Sequence, residues 1–462
     1  MKILKHPAVL FSIYIALVGG SYLPYFAFLP IRVSYHVIVT GVLIWWIWRD
    51  GLPSTPLLWP LASTAALSFI SAINSIDPRI SLEAWWHMLI NGLLGLMLIH
   101  WMRRDWGETL FKTHFGIAGL VAIVSGLEFL VTGGQRVGGP FGLINLTGAY
   151  AAVLLLPALV WAWKERKAWM VAVGLGLVAV LLMNDSRGTF ISAGVAASSF
   201  LILRFHVRFK VLLVAGAIIA GLAFGVMEKT NGGHAAGDVI RRDLWRSALA
   251  MLSDHPLTGV GPGVFGQAFR SYRTVTDDNM SGAHDWYLNT LAELGVPGGI
   301  AAALSGFVFI RALPRKRTAK QDAILAALVG VGAHLLFDNF PAVNFVFLVN
   351  LYVAYLMAGK QQKRSLQGRA VLEAAAATML IMFALFLAIF DTAQTYYEQS
   401  IHNNSVGDAR IASTIDPGNR IYNIQVARLE GDAARVQQID PSISESTNWQ
   451  WYSLINFGRF LW

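Results

Sequence analysis

The chain has 462 residues, of which 55% are hydrophobic, only 14% are charged and none is cysteine. Soluble globular chains carry about 25% charged residues, and here the mean hydropathy is +0.52. A water-soluble globule, a disordered chain and a disulfide scaffold are therefore excluded, together with thiolate metal sites and cysteine nucleophiles. A polytopic membrane protein remains, and the net charge of +9 has to be located along the chain before it is read as a sign of nucleic acid.

A helix needs about 20 mainly apolar residues to cross a bilayer core. By that measure thirteen spans are predicted, near 7–28, 31–48, 56–73, 83–101, 115–131, 145–163, 168–184, 188–204, 208–226, 286–310, 321–337, 343–358 and 371–390. The first follows Lys2 and Lys5, is too long for a cleavable signal and reads as a signal anchor. Placing the N-terminus inside puts 21 Lys and Arg residues in cytoplasmic segments. Only four lie in the short outer loops: Arg32, Arg79, Arg136 and Arg187. The expected fold is all-α, a polytopic transmembrane bundle of about 12–13 spans of the GT-C-like kind. It has an N-terminus inside and a C-terminus outside. The net charge splits into +15 inside and −6 outside, so it reports topology and needs no nucleic acid.

Two long segments then share the outer face: the loop 227–285 and the tail 391–462. The expected division is a membrane domain over 1–390, loop included, and a short helical tail over 391–462. Helical stretches around 406–413 and 420–430 are broken at Asp416-Pro417 and Asp440-Pro441. The closing Trp449, Trp451, Phe457, Phe460 and Trp462 suit a membrane interface or a cap on the loop.

Of the fifteen outer cations fourteen are Arg and one is Lys229, whereas ten of the 21 inner cations are Lys. The planar guanidinium suits bidentate binding of phosphate or carboxylate, although Arg is also a common interfacial residue. Asn184-Asp185-Ser186-Arg187-Gly188 interrupts the apolar run between two spans. It reads either as a turn with a snorkelling Arg or as an Arg at the mouth of a substrate cavity. Arg241-Arg242-Asp243-Leu244-Trp245-Arg246 opens an amphipathic helix followed by Pro256-Leu257-Thr258-Gly259-Val260-Gly261-Pro262-Gly263. That spacing gives a stiff turn whose backbone can approach a ligand closely, or a folded loop with a solvated face.

His284-Asp285-Trp286 opens a span, with Glu293 deeper and Gly295-Val296-Pro297-Gly298 beyond it. A histidine there can take a proton near neutral pH or serve as a cap. Glu293 orients a ligand or bonds a neighbouring helix. Asp338-Asn339-Phe340-Pro341 follows His334 at the end of another span, where a helix-ending turn is sufficient explanation. No phosphate-binding glycine loop, dinucleotide fingerprint or zinc motif is present, and Asp277-Asp278 is a lone acidic pair. No cofactor is expected, and any transferred group arrives already activated on a lipid.

His284-Asp285, nine residues, then Gly295-x-x-Gly298 resembles the H-[NSQ]-x9-G-x-x-G pattern of the O-antigen ligase and polymerase superfamily. Arg242-x-x-Trp245 leading to Pro256-Leu257-x-Gly259-Val260-Gly261-Pro262-Gly263-x-Phe265 is similar to that family's large outer loop, and Ser186-Arg187-Gly188 to its preceding turn. The resemblance implies a bacterial inner-membrane enzyme that moves a glycan from undecaprenyl diphosphate onto an acceptor hydroxyl at the periplasmic face. It implies His284 as base and Arg187 and Arg242 as stabilisers of the leaving diphosphate, with Arg246, Arg136, Asp285, Glu293 and Asp338 as substrate-binding candidates and no metal. Asp285 departs from the family's Asn, Ser or Gln. A carboxylate there would raise the imidazole pKa if the two side chains met. The acceptor is lipopolysaccharide core or a related glycolipid, a growing polymer, or a protein. A polysaccharide transporter or flippase is the alternative from another class, and it should show internal repeats; a purely structural scaffold would leave the Arg bias unexplained.

Overall fold

The computed structural model describes residues 7–18, 29–104, 106–205, 234–274, 280, 282–340, 342–359, 369–441 and 443. Among them are seventeen α-helices and no strand. The bundle begins with α1 (Pro7–Val18), α2 (Leu29–Asp50), α3 (Leu58–Ile73), α4 (Pro78–Met102) and α5 (Gly107–Val131). It continues through α6 (Ile144–Glu165), α7 (Ala168–Asn184) and α8 (Arg187–Phe205). The loop contributes α9 (His234–Asp254) and α10 (Phe265–Tyr272). Then come α11 (Trp286–Ala312), α12 (Ala319–His334), α13 (Val343–Met357) and α14 (Arg369–Asn403), and the tail adds α15 (Val406–Ile415), α16 (Arg420–Leu429) and α17 (Ala433–Ile439).

Twelve of the thirteen predicted spans overlap a helix, the first over Pro7–Val18 with its remainder, 19–28, outside the described residues. The one near 208–226 lies outside the described residues, as do Lys229, Asp277-Asp278 and the closing aromatic residues. Among the described residues six helices are long and apolar enough to cross a membrane by length and composition: α4, α5, α6, α8, α11 and the described part of α14. This is a multi-pass membrane helix bundle. The last predicted span, 371–390, is the first part of a 35-residue helix that runs unbroken through the expected domain boundary to Asn403.

Local chemistry sets the helix ends. Asp77 caps α4, accepting from the Ile80 amide at 3.3 Å with Pro78 in the first turn, where a missing amide hydrogen costs nothing. Thr318 and Gln321 form a reciprocal capping box on α12. Arg166 and Asp185 end α6 and α7 in the left-handed conformation (φ 51° and 49°), which lets each chain reverse at once. α6 is buried along most of its length and forms the centre of the bundle. Around it Phe111 stacks on Trp161 and Tyr352, with ring centroids 5.1 and 5.6 Å apart.

α11 is two helices joined at Gly295, whose φ of 67° and ψ of −175° break the spiral. Unpaired backbone groups within a bilayer cost several kcal/mol each, and here another segment pairs them. The Val260 and Gly261 amides donate to the Ala292 and Glu293 carbonyls (2.9 and 3.0 Å), and the Val296 amide donates to Pro256 (2.8 Å). Ser71 Oγ on α3 gives a second bond to the Glu293 carbonyl at 2.9 Å. The break thus becomes a socket for residues 256–261.

The tail packs on the end of α14 through Ala393, Tyr397, Ile421, Tyr422 and Val436. Ser405, Asn419 and Asp432 cap its three helices. The two Asp-Pro breaks do more than end helices. Asp416 receives Arg79 at 2.6 Å and Asp440 receives Arg270 at 2.9 Å, and both carboxylates are buried. Arg79, in the first turn of α4, therefore ties the tail to the start of that helix.

Candidate functional site

The start of α11 lies along the end of α12. The Trp286 amide donates to the Leu335 carbonyl at 2.9 Å, and Tyr287 Oη donates to the Gly332 carbonyl at 2.9 Å. This docking brings His284, two residues before α11, to Asp338, four residues after α12. Nδ1 and Oδ1 are 3.0 Å apart, with the imidazole 38% exposed and the carboxylate 8%. His284 has a left-handed backbone, φ 49°, which costs a non-glycine residue about 1–3 kcal/mol and persists only where its surroundings fix it. Both neighbours are pinned. The Ala283 amide donates to Asn289 Oδ1 at 3.0 Å, and Asp285 accepts from the Leu288 amide at 2.9 Å.

Burial pushes the Asp338 carboxyl pKa up, but the hydrogen bond and charge of His284, the field of His334 and the Asn339 amide outweigh it and hold it below the ordinary value. An ionised carboxylate only accepts. The Nδ1 of His284 therefore carries the hydrogen, and Nε2 is left as the basic atom. Asp338 is held at its second oxygen by Asn145, whose Nδ2 donates at 2.6 Å, and Asn145 Oδ1 accepts from Ser186 Oγ at 3.3 Å. A chain of side-chain contacts thus runs from His284 to the turn that carries Arg187.

That turn is tightly built. Buried Asn184 donates to the carbonyls of Val137 (3.1 Å) and Ile144 (2.5 Å), and Arg136 Nε donates to the Asn184 carbonyl at 3.0 Å. A Cβ on Gly148 would lie 2.3 Å from both Asn184 Oδ1 and Thr189 Oγ1, so α6 admits only glycine at this approach. Glu128 accepts from the Gly138 and Gly139 amides at 3.1 and 2.6 Å and shapes the segment bearing Arg136. Arg187 opens α8 and is partly buried, while Gly188 packs beneath His334: a Cβ there would sit 2.7 Å from Nε2. His334 meets Phe340 edge-on at 4.8 Å, and Arg241 acts on it through space.

The remaining predicted residues are placed differently. Arg242 and Arg246 lie one turn apart on the exposed side of α9, and Arg241 is the member of that series whose charge reaches His334. Asp243 between them is buried and accepts from Thr274 N (3.1 Å) and Oγ1 (2.7 Å), closing the stretch 243–274 on itself. Asp285 does not meet His284; it is the N-cap of α11. Burial raises its pKa against the pull of the Leu288 and Tyr287 amides. Glu293 is buried and accepts from the amides of Gly263 and Phe265 and from Asn289, which clamps the end of the glycine loop. The close backbone approach expected of that loop is present, but its partner is protein: a Cβ on Gly259 would lie 2.3 Å from the Glu293 carbonyl group. Asn145 is the residue that sequence reasoning missed. An uncharged polar side chain at the start of an apolar helix was its only signal.

Residues 172–303 match the sequence model of the family described as O-antigen ligase. The matched stretch holds the turn with Arg187, the loop 256–263, His284 and the break at Gly295. The match supports the O-antigen ligase superfamily, with its ligase- and polymerase-type glycosyltransferases, for this chain. No curated protein matches it.

Proposed function

We propose that this membrane glycosyltransferase is an inverting, metal-independent ligase that moves a glycan from undecaprenyl diphosphate to a hydroxyl of lipopolysaccharide core or a related glycolipid. The reaction takes place at the periplasmic face of the bacterial inner membrane, with the N-terminus cytoplasmic and the C-terminus periplasmic. The observation that carries this reading is the His284–Asp338 pair at 3.0 Å, linked through Asn145 to the turn bearing Arg187.

His284 Nε2 takes the acceptor hydroxyl proton as the oxygen attacks the anomeric carbon. The bond from that carbon to the lipid diphosphate breaks on the opposite side, which inverts the configuration. Asp338 stabilises the imidazolium that forms and fixes which nitrogen is basic, the service a carboxylate gives a histidine base elsewhere. The departing diphosphate gains charge as the bond breaks, and Arg187 and Arg242, with Arg136 and Arg246, neutralise it. Asp285 and Glu293 support this arrangement by holding α11 and the loop.

The test is transfer by purified protein in lipid nanodiscs, given undecaprenyl-diphosphate-linked glycan and core acceptor, with EDTA and without ATP. Product of inverted configuration is expected, with transfer lost in His284→Ala and Arg187→Ala. Unimpaired transfer by both variants, a requirement for metal, or translocation without a new glycosidic bond would sink the reading. Glycans of a deletion strain then separate the acceptors, through loss of capped core, of chain length or of glycoprotein.

A further inference from the structure

We infer that Asn145 is a positioning residue for this transfer, setting the orientation of Asp338 and tying the base to the arginine turn; the inference rests on the glycan-transfer reading above. Asn145 is the second residue of α6, whose N-cap is Leu143 with no side-chain cap bond. Its carboxamide is thus spent away from its own helix. Because Asp338 is ionised and only accepts, the amide NH₂ group must face it. The 2.6 Å contact is short, as hydrogen bonds to a charged acceptor are.

Each oxygen of Asp338 then has its own side-chain donor: Asn145 on Oδ2 and His284 on Oδ1. With Oδ2 anchored, the carboxylate cannot rotate away from the imidazole, and the hydrogen stays on Nδ1. The other end of the carboxamide accepts from Ser186, the residue before Arg187. Asn145 is itself seated by the neighbouring Ile144 carbonyl, which accepts from Asn184 at 2.5 Å. One side chain thereby sets the spacing between proton acceptor and diphosphate-binding cation, without touching either substrate.

Transfer kinetics against pH, in the assay described above, test this on wild type, Asn145→Ala, Asn145→Asp and Ser186→Ala. Misplacing a reacting group through a change away from the chemistry can cost about 10²-fold. Asn145→Ala should lose that much in kcat with both KM values within about twofold of wild type, since only the transition state is affected. Ser186→Ala should lose less. Asn145→Asp gives the sharpest reading. At neutral pH two carboxylates face each other and transfer is poor; on acidification one takes a proton and again donates to Asp338. Its activity, taken as a ratio to wild type at the same pH, should therefore increase on acidification. A residue that merely fills space would leave the profile's shape unchanged, and that result, or Asn145→Ala keeping more than half of wild-type kcat, overturns the inference. If Asn145→Ala does not fold, the Asn145→Asp profile decides. Failure of wild-type protein to transfer removes the functional reading and this inference with it. Transfer that depends on His284 but not on Asn145 removes the inference alone.

Discussion

The turn 184–187 and the loop 256–263 are both tightly built, and they are held by different chemistry. Side chains hold the turn: Asn184, Asn145, Ser186 and Arg136 bond across three helices, and one end of that network reaches a half-exposed imidazole. The main chain holds the loop, whose amides pair with carbonyls freed at the α11 break, with one buried carboxylate, Glu293, sealing its end. A side-chain network leaves reactive groups facing outward. A backbone socket uses its polar groups up internally. The first is suited to chemistry and the second to keeping the first in place.

Substitutions can break that contrast. His284→Ala should have the largest effect, a loss of about 10²–10⁴-fold in the rate of transfer, the usual worth of a general base. Asp338→Asn should follow, with about 10²-fold lost from kcat as the imidazole loses its fixed orientation, measured as a drop in kcat at constant KM. Gly295→Ala, at φ 67° and with a Cβ only 2.8 Å from the Pro256 carbonyl oxygen, should act on stability, by about 1–3 kcal/mol. Thermal melting would read this, and the surviving folded protein should keep the wild-type pH profile; a changed profile would mean the loop takes part in the chemistry. Arg79→Ala should cost about 1–3 kcal/mol, confined to the tail, because it removes a charged hydrogen-bond donor from the buried Asp416 carboxylate; hydrogen exchange over α15 and α16 would show it.

Acid gives the smallest effect. The folded-state pKa of Asp338 is depressed, so its contribution to stability is present above the ordinary carboxylate pKa and is lost as pH falls through the lower folded value. Melting temperature against pH should show that acid-side decline weakened in Asp338→Asn.

Hydropathy carries most of the fold into the sequence, since a span must be long, apolar and internally bonded whatever its neighbours. His284, Arg187 and Asp338 are legible as single residues because charge near a membrane is costly. Their pairing is not legible: His284 and Asp338 are 54 residues apart, and only the docking of α11 on α12 joins them. Asp285, the adjacent carboxylate, is the natural candidate in sequence, yet the helix claims it as a cap. The glycine loop shows a different limit. Positive φ and a missing Cβ signal close approach by something, and backbone and ligand leave the same trace. Asp416 and Asp440 stand beside prolines that explain a break so well that their arginines, 337 and 170 residues away, leave no mark.

The left-handed backbone of His284 sets stability and activity against each other at one position. Glycine adopts that conformation without strain, so His284→Gly should fold more stably than His284→Ala, and a library selected only for thermal tolerance should drift toward glycine there. Retaining histidine at that φ makes the residue a cost to folding that only its chemistry can justify. Screens that raise stability in this protein should therefore hold position 284 fixed.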